Sequence, residues 1–110
     1  MRVLVCGGRD FTDYGLLCKI LEEIGPTVII AGGARGADTL AKIWARSNSI
    51  DYEEYRAEWE KYDKAAGPIR NKKMLEEGNP DLVVAFPGGS GTANMIMLSK
   101  KANKIIKIIS

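Results

Sequence analysis

Val83-Val-Ala-Phe-Pro-Gly-Gly-Ser-Gly-Thr92 carries the clearest structural signal in this chain. The apolar residues 82–86 have the length and β-branched content of a short strand that is buried on both faces. Pro87 ends this strand, because a proline has no N–H group to donate to the hydrogen-bond ladder. The stretch therefore predicts a buried strand that leads directly into a glycine-rich loop.

The loop after this strand is predicted to bind an anion. Gly88, Gly89 and Gly91 can adopt positive φ angles and leave backbone N–H groups uncovered. Thr92 can cap a helix that continues to Lys101. Because loop amides and the positive end of a helix dipole both favour negative charge, this arrangement predicts a phosphate or carboxylate site.

The same order of strand, glycine loop and helix occurs twice more, earlier in the chain. Residues 2–6 form a valine-rich run that is followed by Gly7-Gly-Arg-Asp-Phe11, and residues 27–31 form a run that is followed by Gly32-Gly-Ala-Arg-Gly-Ala-Asp38. Thr12 or Asp13 can cap a helix after the first loop, and residues 37–47 predict a helix after the second. All three units of strand, glycine loop and helix can therefore expose backbone N–H groups to a ligand in the same way.

These alternating elements predict an α/β fold in which residues 1–110 form a single Rossmann-like, three-layer domain. We expect a mostly parallel sheet of about five strands flanked by helices, because the strands are too apolar for a one-sided sheet. A weaker edge strand at residues 52–55 and a last strand at 105–109 complete it, whereas residues 57–67 are the least regular segment. Ligands bind beyond the carboxyl ends of parallel strands, so the three loops should share one edge.

The composition limits the available chemistry. The chain has 16 basic and 14 acidic side chains and no histidine, which excludes a Ser-His-Asp triad, a Cys-His dyad and any histidine-containing zinc site. Cys6 and Cys18 lack CxxC spacing and are expected to be reduced core residues. We expect no metal and no cofactor. No secretory or membrane-spanning pattern occurs, so we expect a cytoplasmic protein without membrane contact.

Side chains around the loops suit a nucleotide or a sugar phosphate. No dinucleotide fingerprint follows the first strand and no P-loop motif occurs, which disfavours the common NAD and ATP sites. Three arginines could bind phosphate oxygens, two aspartates could accept from ribose hydroxyls, and one of two aromatic rings could stack on a base. The arginines are Arg9, Arg35 and Arg70, the aspartates are Asp10 and Asp38, and the aromatic residues are Trp59 and Tyr62.

Each of these side chains also has a plain structural interpretation. Arg9 with Asp10, or Arg35 with Asp38, could form an ion pair that only fixes a loop, and Trp59 could cover a sheet edge. Trp44 is expected in the core, because it lies on the apolar face of its helix.

Four blocks of the sequence together resemble one known family. They are Val3-Leu-Val-Cys-Gly-Gly-Arg-Asp-Phe11, Gly32-Gly-Ala-Arg-Gly-Ala-Asp38, Ala66-Gly-Pro-Ile-Arg-Asn71 with Met74, and Ala85-Phe-Pro-Gly-Gly-Ser-Gly-Thr-Ala-Asn94. The chain resembles the YspA-like family of the SLOG superfamily, which is named for the SMF/DprA and LOG proteins. This resemblance implies a Rossmann-like fold and a nucleotide-derived, phosphate-bearing ligand.

The resemblance extends in part to the LOG enzymes, phosphoribohydrolases that cut the N-glycosidic bond of nucleoside monophosphates. Their hallmark is Pro-Gly-Gly-x-Gly-Thr-x-x-Glu, with an upstream Arg four residues before a Met. Residues 87–92, together with Arg70 and Met74, match this pattern, but Met95 occupies the glutamate position. A hydrolase would need a carboxylate from elsewhere, and the candidates are Asp10, Asp38 and Glu58. Arg70, Asp38 and Glu58 are therefore the candidate catalytic residues.

Three functions are compatible with this sequence. The first, favoured by Met95, is a sensor or sequestering module for a nucleoside monophosphate, an ADP-ribose-like molecule or another nucleotide signal. The second is an N-glycosidase acting on a nucleoside 5′-monophosphate. The third, single-stranded DNA binding as in the DprA branch, lacks a stripe of charge and aromatic residues, so nucleic acid is not the expected partner.

The predicted ligand contacts come from the three loops and from two segments between them. They are Gly7, Gly8, Arg9, Asp10 and Phe11; Gly32, Gly33, Ala34, Arg35, Gly36 and Asp38; Trp59, Arg70 and Asn71; and Pro87, Gly88, Gly89, Ser90, Gly91 and Thr92.

The helix after Pro87 predicts self-association. Residues 95–98 are apolar on every side, and a helix without a polar face is usually buried all round. In a domain this small, a second subunit is the expected cover, which predicts a homodimer or a higher homo-oligomer. The alternative is that Ala93, Asn94 and Ser99 give the helix a solvent-exposed face.

Overall fold

Five short strands form one parallel sheet in the computed structural model, which describes residues 1–110. They are β1 (Arg2–Cys6), β2 (Val28–Ala31), β3 (Asp51–Glu54), β4 (Leu82–Ala85) and β5 (Ile106–Ile108). The strand order is β3-β2-β1-β4-β5, and every neighbouring pair is parallel. Strand order therefore reverses between β1 and β4, where open α/β sheets bind their ligands.

Helices connect the strands. They are α1 (Tyr14–Ile24), α2 (Ala37–Ser47), the short α3 (Trp59–Tyr62), α4 (Ala66–Gly78) and α5 (Ser90–Lys101). Asp13 caps α1 as predicted, because its carboxylate accepts a hydrogen bond from the N–H group of Leu16 at 3.0 Å. No helix is both long enough and apolar enough to cross a membrane.

The two faces of the sheet bury separate cores, which gives the predicted three layers. On one face, Val3, Val5 and Ile29 pack with α1 and α2. On the other, alternate residues of the same strands, Leu4 and Ile30, pack with α4 and α5. Because successive strand residues point to opposite faces, strands buried on both sides need continuous apolar runs.

Two local predictions need correction. Residues 57–67, predicted to be irregular, contain α3, a single 3₁₀ turn (Asp63–Ala65) and the start of α4. The strand predicted over residues 82–86 ends at Ala85, although the N–H group of Phe86 still donates to the carbonyl of Cys6 at 2.9 Å. Trp44 and Cys6 are buried and both cysteines are free thiols, as predicted, but Cys18 is only half-buried and lies at the margin of the core.

The chain itself covers part of the apolar surface of helix α5, so a second subunit is not needed for all of it. Met95 is fully buried against α4 and the sheet of its own chain, and the hydroxyl of Ser99 donates to the Met95 carbonyl at 2.7 Å. Met95 therefore cannot lie in an interface between subunits. Met97 is 47% exposed, so self-association through the outer face of α5 stays a prediction.

Candidate functional site

Three loops meet at the carboxyl edge of the sheet. We call them the β1 loop (residues 7–13), the β2 loop (residues 32–36) and the β4 loop (residues 86–89). Gly8 joins them, because its N–H group donates to the carbonyl of Pro87 at 2.8 Å and its carbonyl accepts from Ala37, the first residue of α2 directly after the β2 loop, at 3.2 Å. The loops thus converge as predicted, and backbone hydrogen bonds hold them together.

Close approach of these loops explains two of the glycines. A Cβ atom at Gly88 would overlap the Thr92 hydroxyl and lie 2.6 Å from the backbone nitrogen of Gly8. Gly36 has a φ of +84°, and a Cβ atom there would overlap the Gly8 carbonyl. The predicted positive φ angles of Gly88, Gly89 and Gly91 are wrong, since the positive values in these loops belong to Gly33 and Gly36.

A cleft of about 1070 Å³ opens over the junction of β1 and β4, and all three loops line it. Most of the predicted contact residues line this cleft. The exceptions are Gly32, Gly33 and Arg35, which line a smaller adjoining cavity, and Gly36, which lines neither. Sequence reasoning missed Lys64 and Asn94 in the cleft and Arg56 in the smaller cavity. Arg56 had a usable signal, because it follows the carboxyl end of β3.

The N-terminus of α5 presents uncapped amides to this cleft. Its first turn contains Ser90, Gly91 and Thr92, which all line the cleft, and no side chain accepts a hydrogen bond from the turn. The predicted Thr92 cap is wrong, since α5 begins at Ser90 and Gly89 is the N-cap residue. The free N–H groups and the positive end of the helix dipole therefore remain available to an anion.

Arg70 reaches the cleft from α4. Its Nη1 atom donates to the Gly32 carbonyl at 2.7 Å, and its Nε atom donates to the Asn71 side chain at 3.0 Å. Its Nη2 atom has no hydrogen-bond partner in the protein, so it is free to bind an anion. Burial lowers the pKa of Arg70 from its usual value, but an arginine still stays charged at neutral pH.

Asn71 connects Arg70 to α5. The buried Asn71 amide nitrogen donates to the Gly91 carbonyl at 3.2 Å and to the Asn94 side chain at 2.9 Å, while its oxygen accepts from Arg70. Both polar atoms of the Asn71 side chain are therefore used in positioning the arginine against the helix N-terminus.

Asp38 is a buried carboxyl group that lines the same cleft. It accepts a hydrogen bond from the Ala34 N–H group at 3.1 Å, and only 7% of the residue is exposed. Burial raises the pKa of Asp38 to about 6, although the Ala34 amide and the charge of Arg70 oppose this shift. Near neutral pH, Asp38 can therefore exchange a proton with a bound molecule.

The Cys6 thiol and the other two candidate carboxylates are less suited to chemistry than Asp38. Burial raises the pKa of the Cys6 thiol to about 12, so Cys6 provides no thiolate at neutral pH. Glu58 lines neither cavity and lies 3.9 Å from Lys61 on the surface. Asp10 lines the cleft but has a fully exposed side chain. Of the three proposed replacement carboxylates, only Asp38 is both buried and in the cleft.

The two loop ion pairs considered from the sequence do not form. Arg35 lies 3.6 Å from Asp10 rather than beside Asp38, and both of these side chains are largely exposed. Arg9 instead stacks its guanidinium 5.7 Å from the ring centroid of Trp59, which is 48% exposed. Both Arg9 and Trp59 line the cleft and the smaller cavity.

Comparison with known proteins identifies the family. Residues 1–62 match the model of the YspA, cpYpsA-related SLOG family. The chain belongs to this SLOG family. It is also 35% identical to the Gene 61 protein of Mycobacterium phage D29, over 92% of this chain and 90% of that protein. Membership of the SLOG family indicates binding or processing of a nucleotide-related ligand.

The family match includes two of the three loops, β3 and Trp59. Arg70 and the β4 loop lie beyond residue 62, but the similarity to the phage protein spans nearly the whole chain. Position 95, where the LOG pattern has a glutamate, faces the core of this SLOG protein and does not line the cleft.

Proposed function

We propose that this protein binds a nucleotide-derived, phosphate-bearing ligand in the cleft between β1 and β4, as a sensor or sequestering module. The observation that carries the proposal is the pairing of the uncapped α5 N-terminus with the free Nη2 atom of Arg70 in one cleft. Together they offer several donors to one phosphate group, and water-excluded hydrogen bonds to a charged group are the strong ones.

The rest of the cleft suits a nucleoside. Its volume of about 1070 Å³ exceeds that of most small-molecule sites, and Trp59 and Phe11 provide aromatic surface near the arginines. Asp10 and Asp38 can accept hydrogen bonds from ribose hydroxyls. We therefore assign the phosphate to the α5 N-terminus and the nucleoside to the remaining volume.

The test is titration with the four common nucleoside 5′-monophosphates and ADP-ribose by calorimetry. We expect saturable binding of at least one of them, with the ligand recovered unchanged. Arg70→Ala should weaken that binding at least tenfold, because it removes the side chain that donates to the phosphate. Arg46→Ala, an exposed change in the last turn of α2, is the control. The proposal fails if no phosphorylated nucleoside binds.

A second candidate function is cleavage of the N-glycosidic bond of a nucleoside 5′-monophosphate. Asp38 favours it, because a buried carboxyl group with a pKa of about 6 in the cleft could position the attacking water in place of the absent glutamate. The same incubations distinguish the two functions, since hydrolysis releases free base. Release that is abolished by Asp38→Asn would establish the enzyme, and an unchanged ligand supports the binding module.

A further inference from the structure

A second, smaller cavity adjoins the cleft over the carboxyl ends of β2 and β3. Its volume is about 260 Å³, and its walls include Gly32, Gly33 and Ala57. Arg9, Ala34, Trp59 and Arg70 line both spaces, so the two lie side by side and share these four residues. A ligand long enough to pass these residues would reach both spaces.

The cavity is unusually positive. Four of its nine lining residues are arginines, and none is acidic. They are Arg9, Arg35, Arg56 and Arg70. Like charges brought together in this way repel one another, and the nearby charge of Arg9 contributes to the lowered pKa of Arg70.

The neighbouring carboxylates do not neutralise this cluster. Glu54 accepts from Arg56 at 2.6 Å, but it also lies 3.5 Å from Lys42. Asp10 is fully exposed and lies 3.6 Å from Arg35, so solvent weakens that pair. Of the four arginines, only Arg35 and Arg56 therefore have a carboxylate within 4 Å, and Arg9 and Arg70 have none.

We propose that this cavity is a second anion subsite, and that the ligand is a nucleotide with two phosphate groups. The inference rests on the proposed function, since the first phosphate occupies the α5 N-terminus. A space of about 260 Å³ lies just below the range of whole-ligand pockets, so it suits one group of a larger molecule. One guanidinium group can donate two parallel hydrogen bonds to the oxygens of a phosphate, so a cluster of arginines suits a phosphate group.

The experiment compares AMP with three ligands that add a second phosphate: ADP, ADP-ribose and adenosine 3′,5′-bisphosphate. All are titrated by calorimetry against the wild type, Arg35→Gln/Arg56→Gln and Lys100→Gln/Lys101→Gln. The arginine pair is exposed, so its loss should be tolerated by the fold. The lysine pair removes the same charge from the exposed last turn of α5, at the end opposite the cleft.

We expect the wild type to bind at least one two-phosphate ligand about tenfold or more tightly than AMP. The arginine variant should abolish that preference, and the lysine variant should retain it. Which ligand shows the preference tells whether the second phosphate is linked through the first or carried at another position of the ribose. AMP binding without any preference, or with a preference that the arginine variant retains, overturns the second subsite alone. If a nucleoside 5′-monophosphate of another base binds instead of AMP, the same comparison is made with the diphosphate and the 3′,5′-bisphosphate of that nucleoside. Absence of binding by these four ligands and by the other three common nucleoside 5′-monophosphates overturns the proposed function and this inference with it.

Discussion

Replacing Gly91 with alanine should strengthen the fold and weaken phosphate binding at the same time. Gly91 is the second residue of α5, and a Cβ atom there would meet no protein atom within 4 Å. Alanine is favoured over glycine inside helices by about 0.5–1 kcal/mol, which raises the melting temperature of a domain this size by about 2–8 °C. The fold alone therefore gives no reason for this glycine.

The same methyl group would occupy space beside the amides that we assign to the phosphate. Loss of one charge-assisted hydrogen bond costs about 1.5–3 kcal/mol, which corresponds to about a 10- to 150-fold loss of affinity. Thermal unfolding and calorimetry with the tightest-binding nucleoside 5′-monophosphate measure the two effects on one preparation.

Gly15→Ala is the matched control. Gly15 is the second residue of α1, is exposed, lies outside both cavities and also has room for a methyl group. It should gain similar stability and keep the wild-type affinity. If Gly91→Ala binds the nucleotide as tightly as Gly15→Ala does, the α5 N-terminus is not the phosphate site.

Three further predictions follow from packing, titration and exposure. Gly36→Ala should lower the free energy of unfolding, measured with denaturant, by about 3 kcal/mol or more, whereas Gly25→Ala, also at a positive φ but in open space, should lower it by about 1 kcal/mol. Equal losses in the two variants would contradict the close contact between Gly36 and Gly8. Burial raises the pKa of Asp38 in the folded protein from 3.8 to about 6, so ionisation of this group lowers the free energy of unfolding as pH rises. The unfolding free energy of Asp38→Asn minus that of the wild type should therefore increase by about 2 kcal/mol between pH 4 and 6 and by about 3 kcal/mol between pH 2 and 8, and a pH-independent difference would refute the shift. Light scattering of the wild type at micromolar concentration should give a mass above that of one chain, and the Met97→Lys variant should give the mass of a monomer. A monomeric wild type would refute the predicted self-association.

Local sequence signals were sufficient for the elements and for the edge at which the loops meet. Continuous apolar runs identified strands buried on both faces, and the order of strand, glycine loop and helix placed the loops after β1, β2 and β4. Parallel strands have their carboxyl ends at one edge of a sheet, so this much of the site required no knowledge of strand order.

The details that depend on tertiary packing could not be read in the same way. Sequence spacing suggested Arg35 beside Asp38, but the folded β2 loop leaves Arg35 near Asp10, and the charge that acts on Asp38 is that of Arg70. Apolar character around α5 suggested that all of residues 95–98 lie in a subunit interface, but one face of the helix packs on the sheet and buries Met95, so the prediction is left with the outer face. Pairings between segments distant in sequence decide such contacts, and a single sequence does not specify them.

The uncapped N-terminus of α5 and Arg70, which lie where the β1, β2 and β4 loops meet, form the proposed phosphate site. A crystal structure with the tightest-binding nucleoside 5′-monophosphate tests it most directly. We expect the phosphate oxygens to lie within about 3 Å of the first-turn amides of α5 and of the Arg70 Nη2 atom. A phosphate bound elsewhere on the molecule, with these donors still solvated, would contradict the claim.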